Sequence, residues 1–198
     1  MKLILASSSP RRTELLRSAG FDFDVVPSDV AEGEPEAGER PEKYAQRLAE
    51  AKALGVAARA ASGSLVLGAD TIVTLDGMIL GKPTDPTDAV RMLHLLSGQT
   101  HEVITAICLV RAPDQILARQ HESTLVTFQT MSAEEIRGYV ESREPFDKAG
   151  AYAIQGLASK FIARISGCYF NVVGLPVPLL YETLKRMTRE TGNIPTDH

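Results

Sequence analysis

Short apolar runs and longer amphipathic stretches follow one another along the whole chain. Residues 3–6 are apolar and predict a buried strand, and residues 65–75 give the strongest strand pattern. In residues 41–61 the apolar positions recur on one stripe, which is typical of a helix that packs against a sheet. The same patterns predict further strands at 21–25, 78–80, 101–110, 116–128, 161–165 and 169–173, and further helices at 10–19, 86–96, 133–142 and 176–187. Because strands and helices mix throughout, the sequence predicts an α/β fold with a mixed sheet.

The first predicted strand is followed by the hexapeptide Ser-Ser-Ser-Pro-Arg-Arg at residues 7–12. Ser9 suits the N-cap and Pro10 the first position of a helix, so free backbone N–H groups point outwards at the helix start. Arginine presents a planar fork of donors that matches phosphate oxygens. The hexapeptide therefore indicates either an anion site or a capped helix with two solvated arginines. It does not contain the Gly-x-x-x-x-Gly-Lys loop of other phosphate sites.

Asp70 and Lys82 flank a predicted hairpin with a two-residue turn at 76–77, which makes them diagonal neighbours across its two strands. Strict alternation places the two side chains on opposite faces. A bulge at Gly81, or pairing that ends before it, would turn both towards one pocket. An aspartate at a strand end can bind Mg²⁺ or take a proton from water, and the alternative is a structural hydrogen bond.

The chain has 198 residues and a formal net charge of −4, which indicates no general affinity for nucleic acid or anionic membranes. An anionic ligand must then be bound by a local cluster of cations. Lys52, near the buried edge of its predicted helix, is either one of these cations or a surface residue. The two cysteines, Cys108 and Cys168, exclude a disulfide scaffold, and no apolar run has the length of a signal peptide or membrane span. We therefore expect a cytoplasmic protein.

Two loops carry further candidate chemistry. Residues 144–156 mix charges, small residues and the amide of Gln155, which bonds either to a base edge or to nearby backbone. Residues 28–40 are acidic, and a solvated surface is the default interpretation, although one carboxylate can be a metal ligand. The acidic residues of this loop are Asp29, Glu32, Glu34, Glu36 and Glu39. The histidines show no metal-binding spacing and receive no role.

Several of these segments resemble motifs of the Maf nucleotide pyrophosphatases, in matching order and spacing over about residues 2–187. The segments are SSSPRR at 7–12, GADT at 68–71, GKP at 81–83, LSGQTH at 96–101, EPFDKAGAYAIQG at 144–156 and GLP at 174–176. The resemblance implies an α/β fold of two lobes around a central cleft, with a mixed twisted sheet and flanking helices, similar to inosine triphosphate pyrophosphatases. It also implies release of pyrophosphate from a nucleoside triphosphate, a divalent metal cation (Mg²⁺ or Mn²⁺) as cofactor, and a homodimer.

The resemblance also assigns roles to single residues. The matching positions are Asp70 as proton acceptor, Lys52 and Lys82 as catalytic cations, Ser7, Arg11 and Arg12 as substrate-binding residues, and Glu32 with Asp70 as metal ligands. Glu34 is the alternative to Glu32, because a second acidic residue that often stands beside the metal ligand in the family is absent here.

Within the family, Arg11, Thr71 and Gln155 resemble the branch that acts on dTTP and UTP. We therefore expect a dTTP/UTP pyrophosphatase whose residues 1–187 form a single two-lobed domain and whose residues 188–198 form a flexible tail. A 7-methyl-GTP pyrophosphatase is the alternative within the family. A nucleotide-binding regulator of cell division without catalysis, and a phosphatase that releases single phosphates, are alternatives from other classes.

Overall fold

The computed structural model describes residues 3–31 and 33–190 of the chain. The strands in this part are β1 (Leu3–Ala6), β2 (Phe23–Val25), β3 (Leu65–Leu75), β4 (Met78–Leu80), β5 (Thr100–Arg111), β6 (Gln115–Phe128) and β7 (Ile162–Ser166). The α-helices are α1 (Pro10–Ser18), α2 (Pro41–Ala57), α3 (Pro86–Leu96), α4 (Ala133–Glu141), α5 (Tyr169–Val173) and α6 (Val177–Glu190). Short 3₁₀ turns occupy Glu144–Asp147, Ala149–Ala151 and Leu157–Phe161.

In the described residues the seven strands form one mixed sheet in the order β2-β1-β3-β5-β6-β7, and β4 pairs with β3. β1 runs parallel to both β2 and β3, whereas the other pairs are antiparallel. The predicted α/β fold with a mixed sheet and flanking helices is therefore confirmed. β3 lies in the middle of the sheet and is buried along almost its whole length.

Side chains of β3 alternate between the two faces of the sheet. Val66 and Ile72 pack in one cluster with residues of α2, such as Leu48. Leu65 and Leu67 pack instead with residues of α1 and α6, which include Leu16 and Leu180. A third cluster lies between α3, α4 and the far end of β3, and includes Val73, Leu93 and Ile136. The even-numbered residues of β3 therefore face α2, and the odd-numbered residues near its start face α1 and α6.

Helix α2 packs very closely on β3 because residue 68 is a glycine. A Cβ atom at Gly68 would overlap the carbonyl oxygen of Ala49 and would lie 2.7 Å from the amide nitrogen of Ala53. Both of these atoms belong to the backbone of α2, which cannot yield as a flexible side chain does. The absence of a side chain at this position thus permits direct contact between helix and strand.

Most predicted elements are confirmed with small shifts at their ends. β1, β3, β4 and α3 have the predicted bounds, and Ser132 and Glu135 form the predicted capping box of α4. α2 ends at Ala57, earlier than the predicted residue 61. The turn at 76–77 pairs Leu75 with Met78 as predicted, and the pairing of β3 with β4 ends at Leu80, before Gly81.

The predicted strand at residues 169–173 is wrong, because this segment is the short helix α5. A five-residue apolar run is too short for its periodicity to separate a strand from a helix. Long-range contacts decide the outcome. The amide of Asn171 bonds to backbone groups of Val103 and Thr105 in β5, and Gly174, with φ of 127°, ends the helix in a conformation that favours glycine.

Helix α6 continues through Glu190, beyond its predicted end at residue 187. The remainder of the predicted flexible tail, residues 191–198, lies outside the described residues. Within residues 3–31 and 33–190, none of the helices combines the length and the apolar character that crossing a bilayer requires.

Candidate active site

A cleft of about 880 Å³ opens beside the end of β1 and the middle of β3. It is bordered by the hexapeptide that starts α1, by α2, by the segment after β4 and by residues 146–155. The cleft is lined by Ser7, Arg11, Arg12, Lys52, Asp70, Thr71, Lys82 and Gln155, which come from five separate segments of the chain. All the candidate site residues in the described part of the chain therefore meet in one cavity.

Lys52 and Asp70 form an ion pair inside this cleft. Lys52 Nζ lies 2.5 Å from Asp70 Oδ1, and the two side chains are only 13% and 8% exposed. Asp70 is an even-numbered residue of β3, so its side chain faces α2, where Lys52 projects from the helix. A charge-assisted hydrogen bond of this kind is strong when little water competes for it. The carboxylate is thus fixed at one point of the cleft wall.

Arg12 is buried and occupies the other face of β3. Its Nε donates to the carbonyl oxygen of Gly174 at 2.8 Å, its Nη1 to Ser7 Oγ at 3.2 Å, and its Nη2 to Thr71 Oγ1 at 3.1 Å. Arg11 is half-buried beside it on the cleft wall. β1 and β3 run parallel, with Ala6 opposite Gly68, so the hexapeptide starts next to Asp70 and Thr71.

Lys82 reaches the cleft because its segment leaves the sheet. The pairing of β3 with β4 ends at Leu80, so the alternation that would separate Lys82 from Asp70 no longer applies. Lys82 is exposed and lines the same cavity as Asp70. Of the two arrangements considered from the sequence, the early end of pairing is the one observed.

Lys148 is a further cation on the cleft wall, and the sequence patterns did not single it out. Its side chain is 12% exposed, and its Nζ contacts the carboxylate of Asp147 and the carbonyl oxygen of Glu144. Burial raises the pKa of Asp147, but Lys148 and the charge of Arg11 outweigh it and lower that pKa overall. The signal was present in the segment EPFDKAGAYAIQG, where a lysine follows an aspartate in an irregular loop.

The acidic loop is held against α2 by two residues of that helix. Tyr44 Oη donates to the carbonyl oxygen of Gly33 at 3.0 Å, and Arg47 Nη2 donates to that of Glu34 at 3.1 Å. Arg47 also bonds to both carboxylate oxygens of Glu39 at 2.8 and 2.6 Å, which lowers the pKa of Glu39 to about 2. Glu34 lines the cleft, whereas the predicted metal ligand Glu32 lies outside the described residues.

His101, which received no role from the sequence, is buried behind the cleft wall. Its Nε2 lies 2.8 Å from Tyr152 Oη, and its ring meets those of Tyr152 and Phe128 edge to face. Burial lowers the pKa of His101 to about 4, so the imidazole is neutral near pH 7. Because Tyr152 lines the cleft, this contact supports the loop that carries Lys148 and Gln155.

The fold is similar to that of the Ham1 protein of Staphylococcus aureus. The TM-score is 0.51 at 15% sequence identity, over 94% of this chain and 100% of that one. The chain is thus a mixed α/β protein of the Ham1-like fold, with a cation-lined cleft at the centre of its sheet.

The family model described as Maf-like protein matches residues 2–187, and the chain belongs to this family. Two relatives are named dTTP/UTP pyrophosphatase. The relative from Koribacter versatilis is 51% identical over 94% of both chains. The relative from Geobacter metallireducens is 52% identical over 94% of this chain and 96% of its own length.

Proposed function

We propose that this protein hydrolyses dTTP and UTP to the nucleoside monophosphate and pyrophosphate. The relatives from Koribacter versatilis and Geobacter metallireducens are named for this activity and match nearly the whole chain. The observation that carries the proposal is the buried ion pair of Lys52 and Asp70 in a cleft lined by further cations. It supplies a fixed carboxylate next to a site for a polyphosphate.

The charges of the cleft fit those of a nucleoside triphosphate, which carries about four negative charges near neutral pH. The cations that line the cleft are Arg11, Arg12, Lys52, Lys82, Arg91 and Lys148. The formal charge of the whole chain is −4, so this is a local concentration of positive charge. Such a cluster binds an anionic ligand in a protein that does not attract anions generally.

In the proposed reaction, Asp70 accepts a proton from the water that attacks the α-phosphorus. The new bond joins the water oxygen to this phosphorus, and the bond to the bridging oxygen of pyrophosphate breaks. Lys52 and Lys82 stabilise the negative charge that collects on the leaving pyrophosphate. Ser7, Arg11 and Arg12 bind the phosphates, and Arg11, Thr71 and Gln155 set the preference for a pyrimidine base.

Carboxylate oxygens of Asp70 and of the acidic loop suit a divalent cation, Mg²⁺ or Mn²⁺. Mg²⁺ is usually bound by one or two carboxylates together with substrate phosphates. Residues 3–31 and 33–190 contain no cluster of three acidic, histidine or cysteine ligands. Glu32, with Glu34 as the alternative, would hold the cation together with Asp70. A bound cation would act as a Lewis acid on phosphate oxygens.

Product analysis tests the proposal. The purified protein is incubated with dTTP, UTP, CTP, GTP or 7-methyl-GTP and either metal, and the products are separated by ion exchange. We expect monophosphate and pyrophosphate, with dTTP and UTP turned over fastest. A preference for 7-methyl-GTP, or the release of single phosphates, would contradict the proposal, and lack of turnover with all five would favour a nucleotide-binding regulator.

The role of Asp70 is tested by Asp70→Asn, which removes the proton acceptor and keeps the shape of the side chain. We expect loss of most turnover with modest loss of dTTP binding. The matched control is Asp76→Asn, in the exposed turn after β3, where asparagine fits the backbone. Near-normal turnover of Asp70→Asn would show that another group accepts the proton.

The family resemblance also supports three proposals about the whole protein. Residues 1–187 act as one two-lobed unit, the protein forms a homodimer, and it works in the cytoplasm. Light scattering of the purified protein tests the second proposal, for which we expect a mass twice that of one chain.

A further inference from the structure

Arg12 is connected to helix α5 by a chain of hydroxyl groups. Its Nη2 lies 3.1 Å from Thr71 Oγ1, which lies 2.9 Å from Thr105 Oγ1, and Thr105 Oγ1 lies 2.9 Å from the backbone oxygen of Asn171. Thr105 and Asn171 are fully buried. This hydroxyl chain starts at the wall of the cleft and ends at Asn171 of α5, a residue that does not line the cleft.

The direction of each hydrogen bond in this chain follows from the groups at its two ends. A guanidinium only donates, and a backbone carbonyl only accepts. Thr105 therefore gives its single hydroxyl hydrogen to the oxygen of Asn171 and accepts from Thr71 at 2.9 Å, a shorter contact than the 3.4 Å from Thr71 Oγ1 to the carbonyl oxygen of Gly174. Thr71 in turn accepts from Arg12. In these three bonds each donor points from Arg12 towards Asn171, and bonds aligned in this way strengthen one another.

The far end of this hydroxyl chain is held by the side-chain amide of Asn171. Its Oδ1 accepts from the backbone nitrogen of Thr105 at 3.0 Å, and its Nδ2 donates to the oxygen of Val103 at 2.8 Å and to Thr124 Oγ1 at 3.0 Å. Because the first two partners are backbone groups of defined type, the amide has one possible orientation. Thr105 is thus held on both its backbone and its side chain.

We propose that Thr105 and Asn171 are positioning residues that act on the substrate phosphates through Thr71 and Arg12. This hydroxyl chain holds the guanidinium of Arg12 in one orientation, so that the arginine meets the phosphates without reorganisation. Neither residue lines the cleft, and neither belongs to the segments that resemble family motifs. The inference rests on the proposed role of Arg12 in phosphate binding, and it can be tested without turnover.

The test is Thr105→Val, which keeps the branched shape of the side chain and removes the hydroxyl that links Thr71 to Asn171. Binding of inorganic pyrophosphate in the presence of Mg²⁺ is measured by calorimetry, and the KM and kcat for dTTP are measured alongside. We expect pyrophosphate binding to weaken about fivefold to tenfold, with a matching rise in KM. Thr105→Ser, which retains the hydroxyl, should bind pyrophosphate nearly as the parent protein does.

Thr74→Val is the matched control. Thr74 is a buried threonine of β3 whose hydroxyl has no hydrogen-bond partner among the described residues. The same substitution is thus made in the same sheet, at a residue that does not belong to the hydroxyl chain. We expect pyrophosphate binding to stay within about twofold of the parent, so a fall as large as that of Thr105→Val would indicate a general effect of disturbing the core.

A double-mutant cycle separates positioning from a structural role. If Thr105 acts through Arg12, Thr105→Val should weaken pyrophosphate binding in the parent protein but not in an Arg12→Met background. An undiminished effect in that background would overturn the proposal, as would unchanged binding in Thr105→Val itself. A wrong proposed function would give a different result, since no nucleoside triphosphate would then release pyrophosphate.

Discussion

Lys52 and Asp70 form a buried ion pair, although one belongs to a helix and the other to the central strand of the sheet. The ammonium group offsets the charge of a carboxylate that has little contact with water. In the proposed reaction it also stabilises the negative charge that collects on the leaving pyrophosphate. Removing one partner of such a pair takes away the opposite charge that offsets the other partner's burial.

The first prediction concerns Lys52→Met, which keeps the length of the side chain and removes its charge. We expect turnover of dTTP to fall by about 100-fold or more, since a well-placed charged donor contributes ~3–4 kcal/mol to the transition state. Lys43→Met is the control, because Lys43 is exposed on the same helix. Steady-state kinetics with both variants decides the matter, and a fall of less than about threefold in Lys52→Met would exclude a catalytic role.

The second prediction concerns Arg47, which holds the acidic loop through Glu34 and Glu39. In Arg47→Met, Glu34 and Glu39 lose their bonds to this residue while Tyr44 still bonds to Gly33, so the carboxylates of the loop are less well placed for a metal ion. We expect the Mg²⁺ concentration for half-maximal activity to rise several-fold, while kcat at saturating Mg²⁺ changes little. The measurement is a titration of activity with Mg²⁺.

Arg59→Met is the control for this titration. Arg59 also contacts this segment, but it does so at Asp29 and Pro27, neither of which lines the cleft. Its replacement should leave the Mg²⁺ requirement unchanged. Equal effects of the two variants would mean that loop order in general, and not the position of Glu34 and its neighbours, sets the metal requirement.

The third prediction concerns pH. The pKa of His101 is about 4 in the folded chain and has an ordinary value of 6.5, so between these values the unfolded chain binds the extra proton. The free energy of unfolding should therefore decrease as the pH is lowered through this window, by about 1.4 kcal/mol per pH unit and by about 3 kcal/mol in total. Urea unfolding at pH 7, 6 and 5 measures the slope.

His101→Gln removes the titrating group and keeps a side chain that can bond to Tyr152. Its unfolding free energy should fall less steeply than that of the parent over the same pH range. The exposed His121 provides the control, since His121→Gln removes a histidine at the surface. A slope in His101→Gln equal to that of the parent would show that His101 does not contribute to acid sensitivity.

The sequence was a good guide where local pattern decides structure. β3 and β4 follow from their apolar runs and the turn between them, and α4 from its capping box. The candidate residues of the cleft came from short motifs. A serine- and arginine-rich turn together with an aspartate on a buried strand indicates a binding site more strongly than either motif does alone. Only the structure could show that Asp70 and Lys82 line the same cleft, because strand alternation alone places their side chains on opposite faces of the sheet.

The remaining features depend on contacts between distant segments. Asn171 lies in a run whose periodicity fits either a strand or a helix, and its bonds to β5 span more than 60 residues. Likewise, His101 meets Tyr152 across 51 positions. Lys148 stands in an irregular loop, where no periodic pattern states which side chains point inwards.

Gly68 shows how a residue without a side chain can govern the chemistry of its neighbours. It stands two positions before Asp70 on the same face of β3, and its close contacts are with Ala49 and Ala53, on either side of Lys52 along α2. Even one methyl group at this position would lift the helix away from the strand and lengthen the distance from ammonium to carboxylate. The short distance between the ammonium and carboxylate groups thus depends on the missing side chain at Gly68, a residue outside the cleft. Any larger amino acid at this position would overlap the backbone of α2.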